Sequence, residues 1–168
     1  MILYSEALYE RLAPWLGVFE RRSPLRELAI EQQTVGDSSA EVVVIGLGRY
    51  GSRLLSQLHD AGIHVLGVDF DPEAVRSLRS ADLPVRFGDG EDPDFLDSLP
   101  LNQAKWVVSS LPLWESSRAL LHALKAVGYA GQVAAVARDP AHRRQLARLS
   151  QLSTDSFAKL LILCTRDP

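Results

Sequence analysis

Between Glu41 and Leu149 the chain alternates short apolar runs rich in valine with longer segments in which apolar residues return every three or four positions. The runs are EVVVIG, HVLGVD, PVRFGD, WVVSS and QVAAVA. Each reads as a strand covered on both faces, because a strand with a wet face would alternate apolar and polar residues. The periodic stretches between them predict helices over Ser52–Ala61, Pro72–Ser80, Pro93–Ser98 and Glu115–Val127, and a fifth from Pro140 to about Leu149. Strict alternation of strand and helix implies parallel strands joined by right-handed crossovers. The expected fold is α/β, a Rossmann-like doubly wound parallel sheet.

Outside this region the pattern changes. Leu8, Leu12, Trp15, Leu16 and Phe19 recur at three- and four-residue steps, interrupted by Pro14 and Pro24, and predict an N-terminal helical extension of one or two short helices. The small polar stretch TVGDSSA, Thr34 to Ala40, reads as a linker. The expected organisation is a helical segment and linker over 1–40, a Rossmann-like domain over 41–150, and a tail over 151–168 in which KLLILC is a candidate extra strand.

Composition narrows the function classes. A chain of 168 residues, 46% hydrophobic and 23% charged, buries one sizeable core. A net charge of -3 lacks the basic face that binds polyanions, so no nucleic-acid partner is expected. The lone Cys164 cannot form an internal disulfide, and four scattered histidines do not make a metal-ligand spacing. No apolar run approaches the roughly 20 residues of a spanning helix, and the start MILYSEALYERL is acidic where a signal peptide is basic. The expectation is a soluble polypeptide of a reducing, intracellular compartment, with no metal and no catalytic residue assigned.

The candidate chemistry lies in GLGRYG. Gly46, Gly48 and Gly51 stand at the three glycine positions of the dinucleotide fingerprint, between a predicted strand and a predicted helix. The first lets the chain turn out of the strand, the second lets backbone amides approach a phosphate, and the third lets the helix pack close to the sheet. Leu47, Arg49 and Tyr50 complete the loop, and Arg49 is a forked donor suited to phosphate. The second strand ends in Asp69, where a carboxylate accepts hydrogen bonds from ribose hydroxyls and repels a 2′-phosphate. With Phe70 beside it in place of an arginine, NAD or another adenosine nucleotide is preferred to NADP. Asp69 could instead simply cap the next helix. Asp89 and Gly90 end the third strand, and Ser109 and Ser110 the fourth, at the same carboxyl edge. Asp89 is a candidate for the adenine end or a plain turn aspartate, and Ser110 a candidate contact from the far side. Arg138 and Asp139, after the fifth strand, read as a structural pair.

Taken together, GLGRYG, VDFDPE, FGD and VARDPAH resemble the RCK or KTN (Trk-N) nucleotide-binding regulatory domain of potassium channels and transporters, most of all the cytoplasmic domain of Kef-type monovalent cation:proton antiporters. The likeness runs from Glu41 to Leu149, and LYERLAPWLGVFERR is similar to the segment that follows the last membrane helix of such antiporters. It implies phosphate contacts from Gly46, Gly48, Arg49 and Gly51, ribose contacts from Asp69, and an adenine contact from Asp89. It implies a homodimer, joined to the membrane transport domain of the same parent protein at the cytoplasmic face of the membrane, in which NAD, NADH, AMP or ATP gates potassium transport. The chain departs from the family at SSLPLWESSR, where acidic residues and an asparagine are usual, and in lacking a glycine-alanine-aspartate turn before KLLILC.

Two other readings compete. A small NAD-dependent oxidoreductase would need a proton-transfer residue beside the nicotinamide. None of Tyr4, Tyr9, Tyr50 and Tyr129 is followed four residues on by lysine. The N-terminal segment could alternatively lie on a membrane surface through Arg11, Arg21, Arg22 and Arg26. Glu6, Glu10, Glu20, Glu27 and Glu31 dilute that charge, which favours packing on protein.

Overall fold

The computed structural model describes residues 39–137, 139–152 and 159–164. The expected N-terminal helices and Arg138 lie outside the described residues. In chain order the elements are β1 (Val42–Ile45), α1 (Arg49–Asp60), β2 (Val65–Asp69), α2 (Pro72–Arg79), β3 (Val85–Phe87), α3 (Pro93–Asp97), β4 (Trp106–Ser109), α4 (Trp114–Ala126), β5 (Gln132–Ala137), α5 (Pro140–Leu152) and β6 (Lys159–Cys164). The strands form one sheet in the order β3-β2-β1-β4-β5-β6, parallel throughout. This is the six-stranded order of dinucleotide-binding sheets. KLLILC is the sixth strand, paired with β5 from Gln132↔Lys159 to Ala137↔Cys164.

The valine runs are buried on both sides, as their composition requires. From β1, Val43 and Ile45 turn to one face, where they join Leu66, Val68, Val107 and Val133 beneath Leu96 of α3 and Leu120 and Leu124 of α4. Val44 turns to the other face and meets Leu55 of α1 and Val75 of α2. Leu146 of α5 packs on Ala135 and Ala137 of β5. Fully burying a leucine or valine contributes about 1.5–3 kcal/mol, so these two layers fix the sheet between its helices.

Helix starts follow local chemistry. Asp71 and Asp92 cap α2 and α3 by accepting the amides of Glu73 and Asp94, each ahead of a first-turn proline. Asp139 does the same at α5, its Oδ1 accepting from the Ala141 and His142 amides at 2.8 Å each. Those amides, His142 foremost, hold its carboxyl below the usual carboxylate range. Asp139 is therefore a helix cap.

At the amino edge of the sheet, α4 ends at Gly128, whose φ of 71° favours glycine. Tyr129 then turns its ring inward, 5% exposed, with its hydroxyl 3.2 Å from the carbonyls of Ala104 and Gln132. Burial pushes the phenol up to about 12 from 10.0. Between those two pH values the unfolded chain releases this proton and the folded chain keeps it, so stability falls as pH rises through the window. Urea midpoints at pH 9 and pH 11.5 should therefore differ more in the native chain than in Tyr129→Phe. An equal alkaline loss in both would show that Tyr129 does not carry it.

Candidate functional site

The carboxyl ends of all six strands meet one edge of the sheet, and the chain leaves β1 and β4, which are neighbours, toward opposite sides. Ligands of open α/β sheets bind in the crevice at such a switch point. The glycine loop crosses it.

Each glycine has a separate physical reason. Gly46 sits at φ +89°, a region L side chains rarely adopt, and its N–H donates to Val68 O at 2.8 Å. A Cβ on Gly48 would meet nothing within 4 Å, so its backbone faces open space. A Cβ on Gly51 would lie 1.9 Å from Gly46 O, so α1 touches the loop it leaves. The helix begins at Arg49 inside the loop, earlier than the expected Ser52, because Gly48 is its cap. A glycine cap has no side-chain oxygen to announce it.

The amides of Gly48, Arg49, Tyr50 and Gly51 have no acceptor among the described residues. They stand at the positive end of a 12-residue helix with no acidic residue in its first turn. That combination holds an anion. Arg49 is exposed beside them, and Tyr50 is half-buried against the α1 side of the core.

Asp69 lies at the end of β2, next to the loop. Its Oδ2 accepts the Leu47 N–H at 2.5 Å and its Oδ1 accepts the Asp71 N–H at 2.8 Å. Both oxygens keep further acceptor capacity. The cap of α2 is Asp71, so Asp69 is not a helix cap. Leu47 itself is buried at 3%, and its N–H is committed to Asp69. Phe70 is 68% exposed at the rim.

The remaining candidates separate. Asp89 is exposed, with one carboxylate oxygen closing a turn onto the Glu91 N–H at 2.8 Å. A Cβ on Gly90 would stand 2.5 Å from Ile45 Cγ2, so this backbone passes directly over the end of β1. Ser110 is 4% exposed and donates its proton to Gly46 O at 2.6 Å, bracing the glycine loop from behind. Ser109 Oγ is buried with no hydrogen-bond partner among the described residues. What the sequence reading missed here is Leu111. Its Cδ2 comes within 3.1 Å of a Cβ built on Gly46, which places an apolar side chain against the loop from the β4 side. Only the SSLPLW departure hinted at it.

Among the described residues no group of three or more His, Cys, Asp or Glu could hold a metal ion, and no helix is long and apolar enough to cross a membrane.

Residues 42–155 match the TrkA-N domain family. The chain belongs to that family. It is similar to the glutathione-regulated potassium-efflux system protein KefC of Escherichia fergusonii, with 27% identity over 116 residues, covering 69% of this chain and 19% of that protein. The chain thus spans about a fifth of the length of this relative. The Kef CTD of Shewanella denitrificans in its AMP-bound form shares the fold at a TM-score of 0.54 and 22% identity, over 70% of this chain and 69% of that one. The GsuK channel bound to NAD does so at a TM-score of 0.62 and 18% identity, over 89% of this chain and 25% of that one. The open amides of this TrkA-N domain suit an anion, and the anchored carboxylate beside them keeps acceptor capacity for hydroxyl donors.

Proposed function

We propose that this TrkA-N domain is a regulatory switch that binds an adenine nucleotide and gates a potassium or other monovalent cation transporter of which it is a part. The observation that carries the reading is one juxtaposition: four unpaired amides at the start of α1 beside a carboxylate tied to the same loop through Leu47. In this reading the amides and Arg49 take the phosphate, Asp69 the ribose, and Asp89 and Phe70 flank the adenine. The domain pairs with a second copy and joins the membrane domain of the same parent protein at its cytoplasmic face. Nucleotide can shift such a transporter only by binding its two states with different affinity. The relatives named above support the transport context.

The oxidoreductase reading finds no support in the site. Tyr50 packs into the core, and Tyr129 lies at the opposite edge of the sheet from the crevice. The test is calorimetric titration of the chain with NAD, NADH, NADP, AMP and ATP, with light scattering on the same samples. Saturable binding of an adenosine nucleotide that is weakened by a 2′-phosphate and changes the dimer population is the expected result. Absence of binding by all five would reduce the glycine loop to a strand-to-helix connection.

A further inference from the structure

The whole-chain charge of -3 conceals a segregation. Asp89, Glu91, Asp92, Asp94 and Asp97 are all exposed in and just before α3. From Trp114 to Leu152 the carboxylates are Glu115 and Asp139, and Asp139 is taken up by the cap of α5. Against them stand Arg118 and Lys125 on α4 and Arg143, Arg144 and Arg148 on α5, every one exposed. The two helices are neighbours, and they cover the same face of the sheet: Leu120 and Leu124 of α4 share a core cluster with Val133, and Leu146 of α5 packs on Ala135 and Ala137. On α5, Arg144 and Arg148 form one stripe, turned roughly half a circle from the buried His142 and Leu146. On α4, Arg118 and Lys125 likewise share a stripe.

Neither helix puts an aromatic residue at an exposed position, so the face offers cations without the stacking platforms that hold single-stranded nucleic acid. Isologous pairing of this face with itself would set like charge against like. What it complements is a broad, flat array of anions, for which long basic side chains need reach and no groove. We propose that the outer face of α4 and α5 docks on an anionic phospholipid surface. The inference rests on the reading that this domain serves a membrane transporter, and is independent of which nucleotide the crevice holds. The acidic rim at α3 adjoins α4. The same surface repels it, so the domain meets the bilayer with α5 nearest and α3 held away.

The experiment is co-sedimentation of the chain with vesicles of phosphatidylcholine alone and of phosphatidylcholine mixed with phosphatidylglycerol, read as a partition coefficient. One variant joins Arg144→Gln to Arg148→Gln. Its matched control joins Arg53→Gln to Arg76→Gln, exposed arginines of α1 and α2 on the opposite face of the sheet. Glutamine is a good helix former, so both variants keep the fold, which urea midpoints check. The native chain should partition at least tenfold more strongly onto the mixed vesicles, and raising salt from about 0.05 M to about 0.5 M should abolish the difference. The α5 variant should lose roughly tenfold to thirtyfold in partition, the weight of two basic residues near a charged surface, and the control should bind as the native chain does. Equal partition onto the two kinds of vesicle would overturn the inference and leave the nucleotide reading standing. No loss in the α5 variant, or an equal loss in the control, would place the attraction elsewhere in the chain, the N-terminal arginines included, and remove this face. A DNA duplex bound more tightly than the mixed vesicles at equal anion concentration would make nucleic acid the partner instead. A salt-sensitive dimer that the α5 variant dissociates, seen by light scattering without vesicle binding, would assign the face to a second copy. Loss of nucleotide binding with vesicle binding intact would overturn the switch and not the docking face.

Discussion

Gly51→Ala should lower the stability of the domain by about 3 kcal/mol, at the upper end of the cost of overpacking. The new methyl carbon would stand 1.9 Å from Gly46 O, 3.0 Å from Gly46 C and 2.6 Å from Ser110 Oγ. A flexible side chain could turn away, but a backbone carbonyl cannot. Relief requires α1 to lift off the loop, and that movement breaks the 2.6 Å bond from Ser110 to Gly46 O and pulls on the bond from Gly46 N to Val68 O. Gly48→Ala is the matched control. Its Cβ would meet nothing within 4 Å, and its φ of -61° suits any residue. It should cost no more than about 1 kcal/mol, the typical penalty of a poorer cap, while placing a methyl group where the phosphate is proposed to sit. Urea denaturation separates the two: equal midpoints would show that the close approach at Gly51 is not what holds α1 to the sheet.

The elements of this fold were legible because they are local. Valine runs bounded by turn residues mark the strands, and Asp-Pro pairs at 71–72, 92–93 and 139–140 mark three helix starts by their caps. The strand at KLLILC was legible only as a candidate, since it is decided by six residue pairs with β5, a tertiary fact, and lacks the glycine-alanine-aspartate turn in front of it. The crevice divides in the same way. The glycine spacing and the acidic strand end are patterns in one dimension, and the structure brings them together. That Asp69 reaches back 22 residues to the Leu47 amide is not such a pattern. Nor is the side to which a serine turns: Ser110 was a candidate ligand contact, and its hydroxyl points instead into the back of the loop. Leu111 was silent for a related reason, since an apolar residue after a strand looks like core until its neighbour is known.

Asp69→Ala should weaken adenosine-nucleotide binding by roughly tenfold to a hundredfold. The carboxylate is proposed to receive the ribose hydroxyls, and hydrogen bonds to a charged group contribute about 1.5–3 kcal/mol, with 1.4 kcal/mol for each factor of ten. The same substitution also removes the acceptor of two backbone amides, one belonging to the buried Leu47. A buried N–H left without a partner costs about 1–3 kcal/mol, so the variant should be less stable as well. The two losses separate by measurement. Stability is read from urea denaturation without ligand, and affinity by calorimetry under conditions where the variant remains folded. If affinity falls in proportion to the folded fraction alone, Asp69 is a brace for the glycine loop. If AMP binding to fully folded protein still drops at least tenfold, the carboxylate touches the nucleotide. Its two backbone bonds then have a functional consequence, because a carboxylate already aimed by Leu47 and Asp71 loses little freedom when the ribose arrives.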